Sequence, residues 1–177
     1  MARIIMHIDL NAFFATAEQI RSPELINQPL IVAGTGRRGI VLTASYEARK
    51  YGIHAAMPTY MATRLYPKII IRKPDFSWYS DLSHRFFEYL RKYSTSIEIA
   101  SIDECFVDMT SAMKNVTDPE GYLHNLLQGL YQETKLKISL GLAPTKFLAK
   151  MASDMKKPIG ITILRRKDIP TKLWPLP

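Results

Sequence analysis

Residues 4–19 read IIMHIDLNAFFATAEQ, an apolar run that ends at an acid and continues with helical spacing. The run Ile4–Ile8 predicts a buried strand closed by Asp9, and Asn11–Gln19 predicts a helix that Asn11 would cap. An acidic side chain is therefore expected at the junction of a strand and a helix.

Two more acids lie between a second pair of predicted strands. Ser96–Ala100 and Cys105–Met109 alternate around a tight segment that contains Asp103 and Glu104. If these strands neighbour the first one, the three acids meet at one edge of the sheet. Phosphoryl transfer uses such carboxylates to hold two divalent cations, which favours Mg²⁺. From spacing alone, it is equally open that these acids bind metal or that Asp9 caps a helix while Asp103 and Glu104 form a solvated turn.

The remaining pattern predicts an α+β protein. Further strands are predicted at Leu30–Ala33, Ile40–Thr43, Ile69–Arg72, Lys137–Leu142 and Gly160–Leu164, and further helices at Ser45–Tyr51, after Pro58, at Asp75–Tyr93, after Asp118 and at Thr145–Met155. This order indicates a mixed, mostly antiparallel sheet backed by helices, with a small α/β unit inserted at 20–74. The proline-rich segment 166–177 shows no capping signal.

Composition sets outer bounds on function. The 177 residues include 24 Lys and Arg against 16 Asp and Glu, a formal charge of +8 that favours a polyanionic partner. The lone Cys105 excludes an internal disulfide, and one Cys with four scattered His excludes a structural zinc pattern. The apolar start is too short for a signal peptide or a membrane span, so a cytoplasmic protein without membrane contact is expected.

Four ordered motifs then resemble the Y-family of translesion DNA polymerases, closest to its polymerase IV branch. They are IDLNAFFATAE (8–18), TASYEARKYGI (43–53), SIDE (101–104) and GLAPTKFLAKMASDMKKPIG (141–160). The resemblance covers almost the whole chain. It implies a ferredoxin-like palm at 1–19 and 75–165, an inserted fingers subdomain at 20–74, and the start of a truncated thumb at 166–177.

The resemblance also implies roles at the acids. Asp9, Asp103 and Glu104, with the backbone carbonyl of Leu10, would bind two Mg²⁺ ions for DNA-directed nucleotidyl transfer. Asn11 stands where many relatives carry a second Asp that is not a ligand. From the residues themselves we expect Cys105 to be a small buried hydrophobe.

Nucleotide contacts are implied at two places. Phe14 matches the steric gate that excludes the 2′-hydroxyl of a ribonucleotide, although Phe13 and Phe14 also fit the core side of an amphipathic helix. Thr43, Tyr46, Arg49 and Lys157 match the triphosphate clamp. Tyr46 and Arg49, spaced i and i+3, share a helix face. Without the flanking motif, Arg49 and Lys157 read as ordinary surface cations.

Further expectations concern DNA and the departures from the family pattern. Arg37, Arg38, Lys146 and Lys150 are candidates for phosphate contacts with primer–template DNA, although each also reads as a solvated charge. Leu42 is larger than the usual residue above the nascent base pair, and Ile159 replaces a common Asn beside Lys157. Without a thumb and little finger we expect weak DNA binding, and the full-length protein would bind a sliding clamp.

Three function classes follow. The first is a translesion DNA polymerase that acts in DNA repair and the SOS response. The second is a non-catalytic nucleic-acid-binding or accessory fragment of the same fold. The third is another enzyme on a ferredoxin-like palm, such as a nucleotidyl cyclase, which has no need of the insertion that carries Tyr46 and Arg49. His7 is expected to be a packed polar residue outside the mechanism.

Overall fold

A computed structural model describes residues 3–34, 36 and 38–175. In chain order the strands are β1 (Ile5–Leu10), β2 (Leu30–Ala33), β3 (Val41–Ala44), β4 (Ile70–Arg72), β5 (Ile97–Ile99), β6 (Glu104–Asp108), β7 (Ile138–Ala143) and β8 (Ile161–Ile163). The α-helices are α1 (Phe13–Arg21), α2 (Tyr46–Arg49), α3 (Thr59–Leu65), α4 (Phe76–Arg91), α5 (Pro119–Thr134), α6 (Lys146–Asp154) and α7 (Ile169–Lys172). Short 3₁₀ helices occupy Pro23–Leu25 and Arg166–Asp168.

The chain forms two compact units. One joins the N-terminal segment, up to Asn11, with the segment from Ser83 onward, and the other is Ala12–Leu82. The predicted insertion was shorter, at 20–74. The difference arises because α1 packs on β2 and β3, and because Trp78 Nε1 donates a hydrogen bond to the Ala17 carbonyl at 3.0 Å. The names palm, fingers and thumb stay predictions.

The first unit contains a five-stranded sheet in the order β5-β6-β1-β7-β8. Its pairs are antiparallel except β7 with β8, which is parallel. This confirms the predicted mixed, mostly antiparallel sheet. The central strand β1 is almost wholly buried, because β6 and β7 flank it and α6 packs across it.

Gly141 in β7 lets α6 lie close to this sheet. A Cβ at this position would overlap the Ala149 carbonyl oxygen and the Ser153 amide nitrogen on α6. The helix is amphipathic, and the side chain of its N-cap residue, Thr145, accepts a hydrogen bond from the Leu148 amide at 3.3 Å. The side chains on its inner face therefore come within hydrogen-bonding reach of the strands.

The second unit holds a small three-stranded sheet in the order β3-β2-β4. Strands β2 and β3 form the predicted antiparallel hairpin, and β4 adds in parallel to β2. Nine buried apolar residues build its core: Ile31, Ala33, Val41, Ala44, Ala48, Ile53, Met57, Ala62 and Ile69. The inserted unit is thus α/β, as predicted.

Two local predictions are wrong. Asn11 does not cap α1. Ala12 is the N-cap in a left-handed conformation (φ 45°), while the buried Asn11 side chain accepts a hydrogen bond from Ser139 Oγ at 2.9 Å. The second concerns segment 166–177, where no capping signal was expected. This segment forms the 3₁₀ helix Arg166–Asp168 followed by α7, and Asp168 Oδ2 accepts a hydrogen bond from the Arg165 amide at the start of the 3₁₀ helix.

The described helices offer no membrane span. The longest, α4 and α5, have 16 residues each, and neither combines the length and the apolar character that a bilayer crossing needs.

Candidate active site

Strand pairing brings two of the three acids together. In the antiparallel register of β1 and β6, Asp9 lies directly opposite Glu104. Side chains at paired positions point to the same face of a sheet, so the two carboxylates share one face. The Leu10 amide donates to the Asp103 carbonyl at 2.9 Å and extends the pairing to the hairpin bend. The expected meeting of acids at one sheet edge is found for Asp9 and Glu104.

Asp103 lies in the bend itself and is half-buried. Its Oδ1 accepts a hydrogen bond from Ser101 Oγ at 2.5 Å, and its amide donates back to the same hydroxyl at 3.3 Å. This reciprocal pair holds the carboxylate within its own turn. Among the described residues, no group of three or more His, Cys, Asp or Glu is placed to hold a metal ion.

Asp9 is paired with a lysine that follows α6. Lys157 Nζ lies 3.0 Å from Asp9 Oδ1 and 2.9 Å from Asp154 Oδ1. Burial raises the pKa of the Asp9 carboxyl above its usual range, and the charges of Asp103 and Glu104 add to the rise against the opposing effect of Lys157. Burial acts to lower the pKa of Lys157, but its bonds to Asp154 and Asp9 outweigh that and raise it.

Glu104 is paired with a lysine on α6. Lys150 Nζ lies 2.6 Å from Glu104 Oε2. His7 Nε2 lies 3.2 Å from the same oxygen, within ion-pair range but outside hydrogen-bond geometry. Burial acts to raise the pKa of Glu104, but opposing effects, of which the hydrogen bond from Lys150 is the largest, lower it below its usual range.

His7 is fully buried, as a packed polar residue should be. Its Nδ1 lies 2.8 Å from Ser153 Oγ, and Ser153 donates its own hydroxyl proton to the Lys150 carbonyl at 2.7 Å. Ser153 must therefore accept a proton from Nδ1, which fixes the tautomer. Burial, with the charge of Lys150, lowers the pKa of His7. Cys105 is likewise fully buried, and burial raises the pKa of its thiol to about 12.

The donor chemistry of this cluster fits a hard divalent cation. Carboxylate and carbonyl oxygens are the ligands that Mg²⁺ prefers, and Asp9, Asp103, Glu104 and the Leu10 carbonyl offer such oxygens. The concentration of negative charge is already sufficient to attract two ammonium groups. Neither the pairing of Lys150 with Glu104 nor that of Lys157 with Asp9 was predicted. The D-x-x-K spacing of Asp154 and Lys157 is a local signal for the ion pair between those two residues alone.

In the second unit the two adjacent phenylalanines differ in burial. Phe13 is 3% exposed and belongs to the core, whereas Phe14 is half-buried. The Phe14 ring stacks on Tyr79, with centroids 4.4 Å apart, and meets Phe76 edge-on at 6.0 Å. Tyr79 in turn donates its hydroxyl to Glu18 Oε1 at 2.8 Å. Sequence reasoning missed Tyr79, because it lies 65 residues from Phe14 along the chain.

The proposed clamp residues of this unit lie on β3 and α2. The Arg49 guanidinium sits 4.5 Å above the Tyr46 ring, which agrees with their i, i+3 spacing. Arg49 Nε also donates to the Ala44 carbonyl at 3.1 Å. Thr43 is half-buried opposite Val32 in the hairpin. Their role in phosphate binding stays a prediction.

The candidate DNA contacts are partly engaged elsewhere. Arg37 lies outside the described residues, and Arg38 is exposed in the turn after it. Lys146 forms an ion pair with Glu98, and Lys150 binds Glu104. Both lysines were interpreted as solvated or phosphate-binding cations, and neither is unpaired here.

Both departures from the family pattern are exposed. Leu42 on β3 is 38% exposed, and Ile159 is 59% exposed with φ 58°, in the left-handed region. Asn tolerates this region better than a β-branched residue does. The left-handed backbone therefore gives a physical reason for the Asn that is common at this position in the family pattern.

The chain matches a known family over most of its length. The model of the impB/mucB/samB family matches residues 8–154. The chain is 45% identical over 177 residues to DNA polymerase IV of Bacillus anthracis and 46% identical over 178 residues to DNA polymerase IV 1 of Bacillus subtilis (strain 168), covering 99% of this chain and 43% of each relative. It thus spans less than half the length of these curated relatives.

Solved structures are similar throughout most of the chain. A Y-family DNA polymerase chimera, Dbh-Dpo4(243-245)-Dbh, is 33% identical with a TM-score of 0.89, covering 94% of this chain and 50% of that one. DinB from Sulfolobus solfataricus is also 33% identical with a TM-score of 0.89, and the match covers 94% of this chain and 49% of that one. An insertion ternary complex of Dbh DNA polymerase gives the same identity and TM-score, with 94% and 50% covered.

Proposed function

The chain belongs to the impB/mucB/samB family, the Y-family of DNA polymerases, and on that basis we propose that it carries the nucleotidyl-transfer centre of a translesion DNA polymerase. Its substrates are then a deoxynucleoside triphosphate and the 3′ end of a DNA primer on a template strand. The register that sets Asp9 opposite Glu104 carries the proposal, because it puts two carboxylates on one face at the end of adjacent strands.

The proposed metal ligands are Asp9, Asp103, Glu104 and the Leu10 carbonyl, for two Mg²⁺ ions. Bound metal of this kind lowers the pKa of the primer hydroxyl and neutralises charge on the triphosphate. The residues themselves supply fixed oxygen donors. The Ser101 hydroxyl orients Asp103, and the buried β1–β6 ladder orients the other two acids. Lys157 supplies a cation for a phosphate from the same sheet face.

Phe14 is the proposed sugar gate. Its half-exposed ring is braced by Tyr79 and Phe76, so it cannot move aside freely to admit a 2′-hydroxyl. Phe14→Ala should raise ribonucleotide incorporation relative to deoxynucleotide incorporation by about 10- to 100-fold, the size of a packing constraint of about 1–3 kcal/mol. Phe13→Leu is the matched control, since Phe13 faces the core. Unchanged discrimination in Phe14→Ala would rule out the gate.

Tyr46 and Arg49 are proposed to bind the triphosphate, with Thr43 beside them. A guanidinium held over an aromatic ring keeps its N–H donors in a fixed plane, which suits phosphate oxygens. Arg37, Arg38, Lys146 and Lys150 remain proposed contacts with DNA phosphates. For the whole protein we propose a cytoplasmic role in DNA damage tolerance and binding to a sliding clamp, as the family resemblance implies.

Primer extension tests the proposal. We would compare the chain alone with a chimera that continues it with the C-terminal part of the Bacillus subtilis relative, each with Mg²⁺ and one labelled deoxynucleotide. Template-dependent addition by the chimera, lost in Asp103→Ala, is the expected result. A folded chimera that binds nucleotide and adds nothing would contradict the polymerase and favour a non-catalytic accessory role.

A further inference from the structure

Two lysines form ion pairs with carboxylates that the proposed function assigns as metal ligands. Lys150 Nζ binds Glu104 Oε2 at 2.6 Å, and Lys157 Nζ binds Asp9 Oδ1 at 3.0 Å. Both lysines come from α6 or the turn that follows it, and both carboxylates lie on the sheet face that α6 covers. One helix therefore delivers one positive charge to each of two paired acids.

We propose that Lys150 and Lys157 are internal counter-ions that hold Glu104 and Asp9 until divalent metal displaces them. The inference rests on the proposed function, because it takes the same carboxylates as metal ligands. It goes further by assigning Lys150 a partner within the chain, Glu104, before metal binds, and by giving Lys157 first Asp9 and then the triphosphate as its partner. Lysine suits this task, since its ammonium is a single charge on a flexible stem.

The surroundings of Glu104 show which of its partners can leave. His7 is fully buried and is held by Ser153, which also binds the Lys150 carbonyl. The Lys150 side chain is 48% exposed and can swing into solvent without moving α6. Metal at Glu104 therefore displaces the exposed Lys150 ammonium, whereas the buried His7 ring stays in place.

Lys157 has a second acid that keeps it beside the site. Asp154 Oδ1 lies 2.9 Å from its ammonium, and the Asp154 side chain is 55% exposed. When metal takes Asp9, Lys157 remains tied to α6 through Asp154 and turns its remaining N–H donors outward. Metal entry thus frees the cation that the triphosphate needs, which makes metal and nucleotide binding mutually supportive.

The strength of these pairs suits exchange. A partly exposed lysine–carboxylate pair changes an equilibrium by roughly 1.5- to 5-fold. A divalent cation that gains several carboxylate ligands at once can overcome a competitor of that size. Removal of either lysine should therefore tighten metal binding by a similar factor.

Mn²⁺ binding measured by electron paramagnetic resonance on the 177-residue chain tests the exchange directly. We compare wild type with Lys150→Gln and Lys157→Gln, and use Lys146→Gln as the control. Lys146 lies on the same helix and carries the same charge, but it pairs with Glu98. We expect roughly two- to fivefold tighter Mn²⁺ binding in each of the first two variants and less than half of that change in the control.

Lysine ammonium NMR gives a second readout that needs no activity. Addition of Mg²⁺ should shift the Nζ signals of Lys150 and Lys157 toward the position of solvated lysine and leave Lys146 unchanged. Weaker metal binding in Lys150→Gln, or equal tightening in all three variants, would overturn the exchange. Thermal unfolding of each variant identifies any that fails to fold, and the NMR shifts of the wild type then decide.

The outcomes separate this inference from the proposed function. Metal binding that requires Asp9 and is unaffected by both lysine variants overturns the exchange alone. The exchange is also overturned if the chimera extends primers but its Lys150 Nζ signal does not shift when Mg²⁺ is added. If the two lysine variants bind Mn²⁺ more tightly but the chimera adds no nucleotide, the exchange is supported and the proposed polymerase function is contradicted.

Discussion

The Tyr79 ring lies face to face with Phe14, with 14° between the ring planes, and its hydroxyl is bonded to the buried Glu18. Tyr79→Phe keeps the ring and removes the donor to Glu18, which still binds Arg21 at 2.8 Å. We expect a loss of about 1–2 kcal/mol in the free energy of unfolding, measured by urea denaturation. Tyr60→Phe is the control, because Tyr60 is 57% exposed. Equal stability of the Tyr79 variant and wild type would contradict a structural role for this bond.

Gly141→Ala should separate α6 from the sheet. Its Cβ would overlap backbone atoms of Ala149 and Ser153, which cannot rotate away as a side chain could. We expect destabilisation of about 1–3 kcal/mol from overpacking. In Gly34→Ala the added atom would lie 3.7 Å from its nearest neighbour, so that variant should be nearly neutral. Urea denaturation of both variants checks the difference, and similar losses in the two would argue against the close approach.

Ile159→Asn should stabilise the chain. Ile159 adopts φ 58°, a region that disfavours a β-branched residue, and its exposed side chain sacrifices little burial on replacement. A gain of about 1 kcal/mol is expected. Ile26→Asn is the matched control, since Ile26 is 46% exposed with φ −63°. Thermal unfolding that ranks the two variants equally would show that the left-handed conformation costs nothing at position 159.

Asp75 should make part of the stability of the second unit depend on pH. Its carboxylate accepts from Arg21 at 2.7 Å and caps α4 through the Trp78 amide at 3.1 Å. The Arg21 bond, aided by that amide, lowers the pKa of Asp75 below its ordinary value of 3.8. A carboxyl whose folded pKa is lowered contributes stability above its unfolded pKa and loses it as pH falls through the folded value.

The comparison of wild type with Asp75→Asn tests this sign. Wild type should unfold at higher urea than the variant near neutral pH, and the difference should shrink only below pH 3.8. Asp81→Asn serves as a control elsewhere on α4. A difference between wild type and Asp75→Asn that persists unchanged in acid would mean that charge on Asp75 is not its source.

Much of the fold was predictable because its determinants are local. Ser45, Asp118 and Thr145 each cap the helix that follows, as their residue types favour. Alternating or continuous apolar runs correctly predicted the strands, usually to within two residues at each end. Asn11 was the exception. The same short polar side chain that favours a cap also fits a buried partner, and contact with Ser139, remote in sequence, decided between them.

The candidate site divides in the same way. The sequence by itself determined which acids are available, the α+β class and the separation of Phe13 from Phe14 on one helix. Only the tertiary structure decided that Asp9 faces Glu104, that Lys150 and Lys157 bind these two acids, and that Tyr79 supports Phe14. Helix caps and strand periodicity depend on neighbours along the chain, whereas the partner of a flexible lysine or an aromatic ring depends on which distant elements pack together.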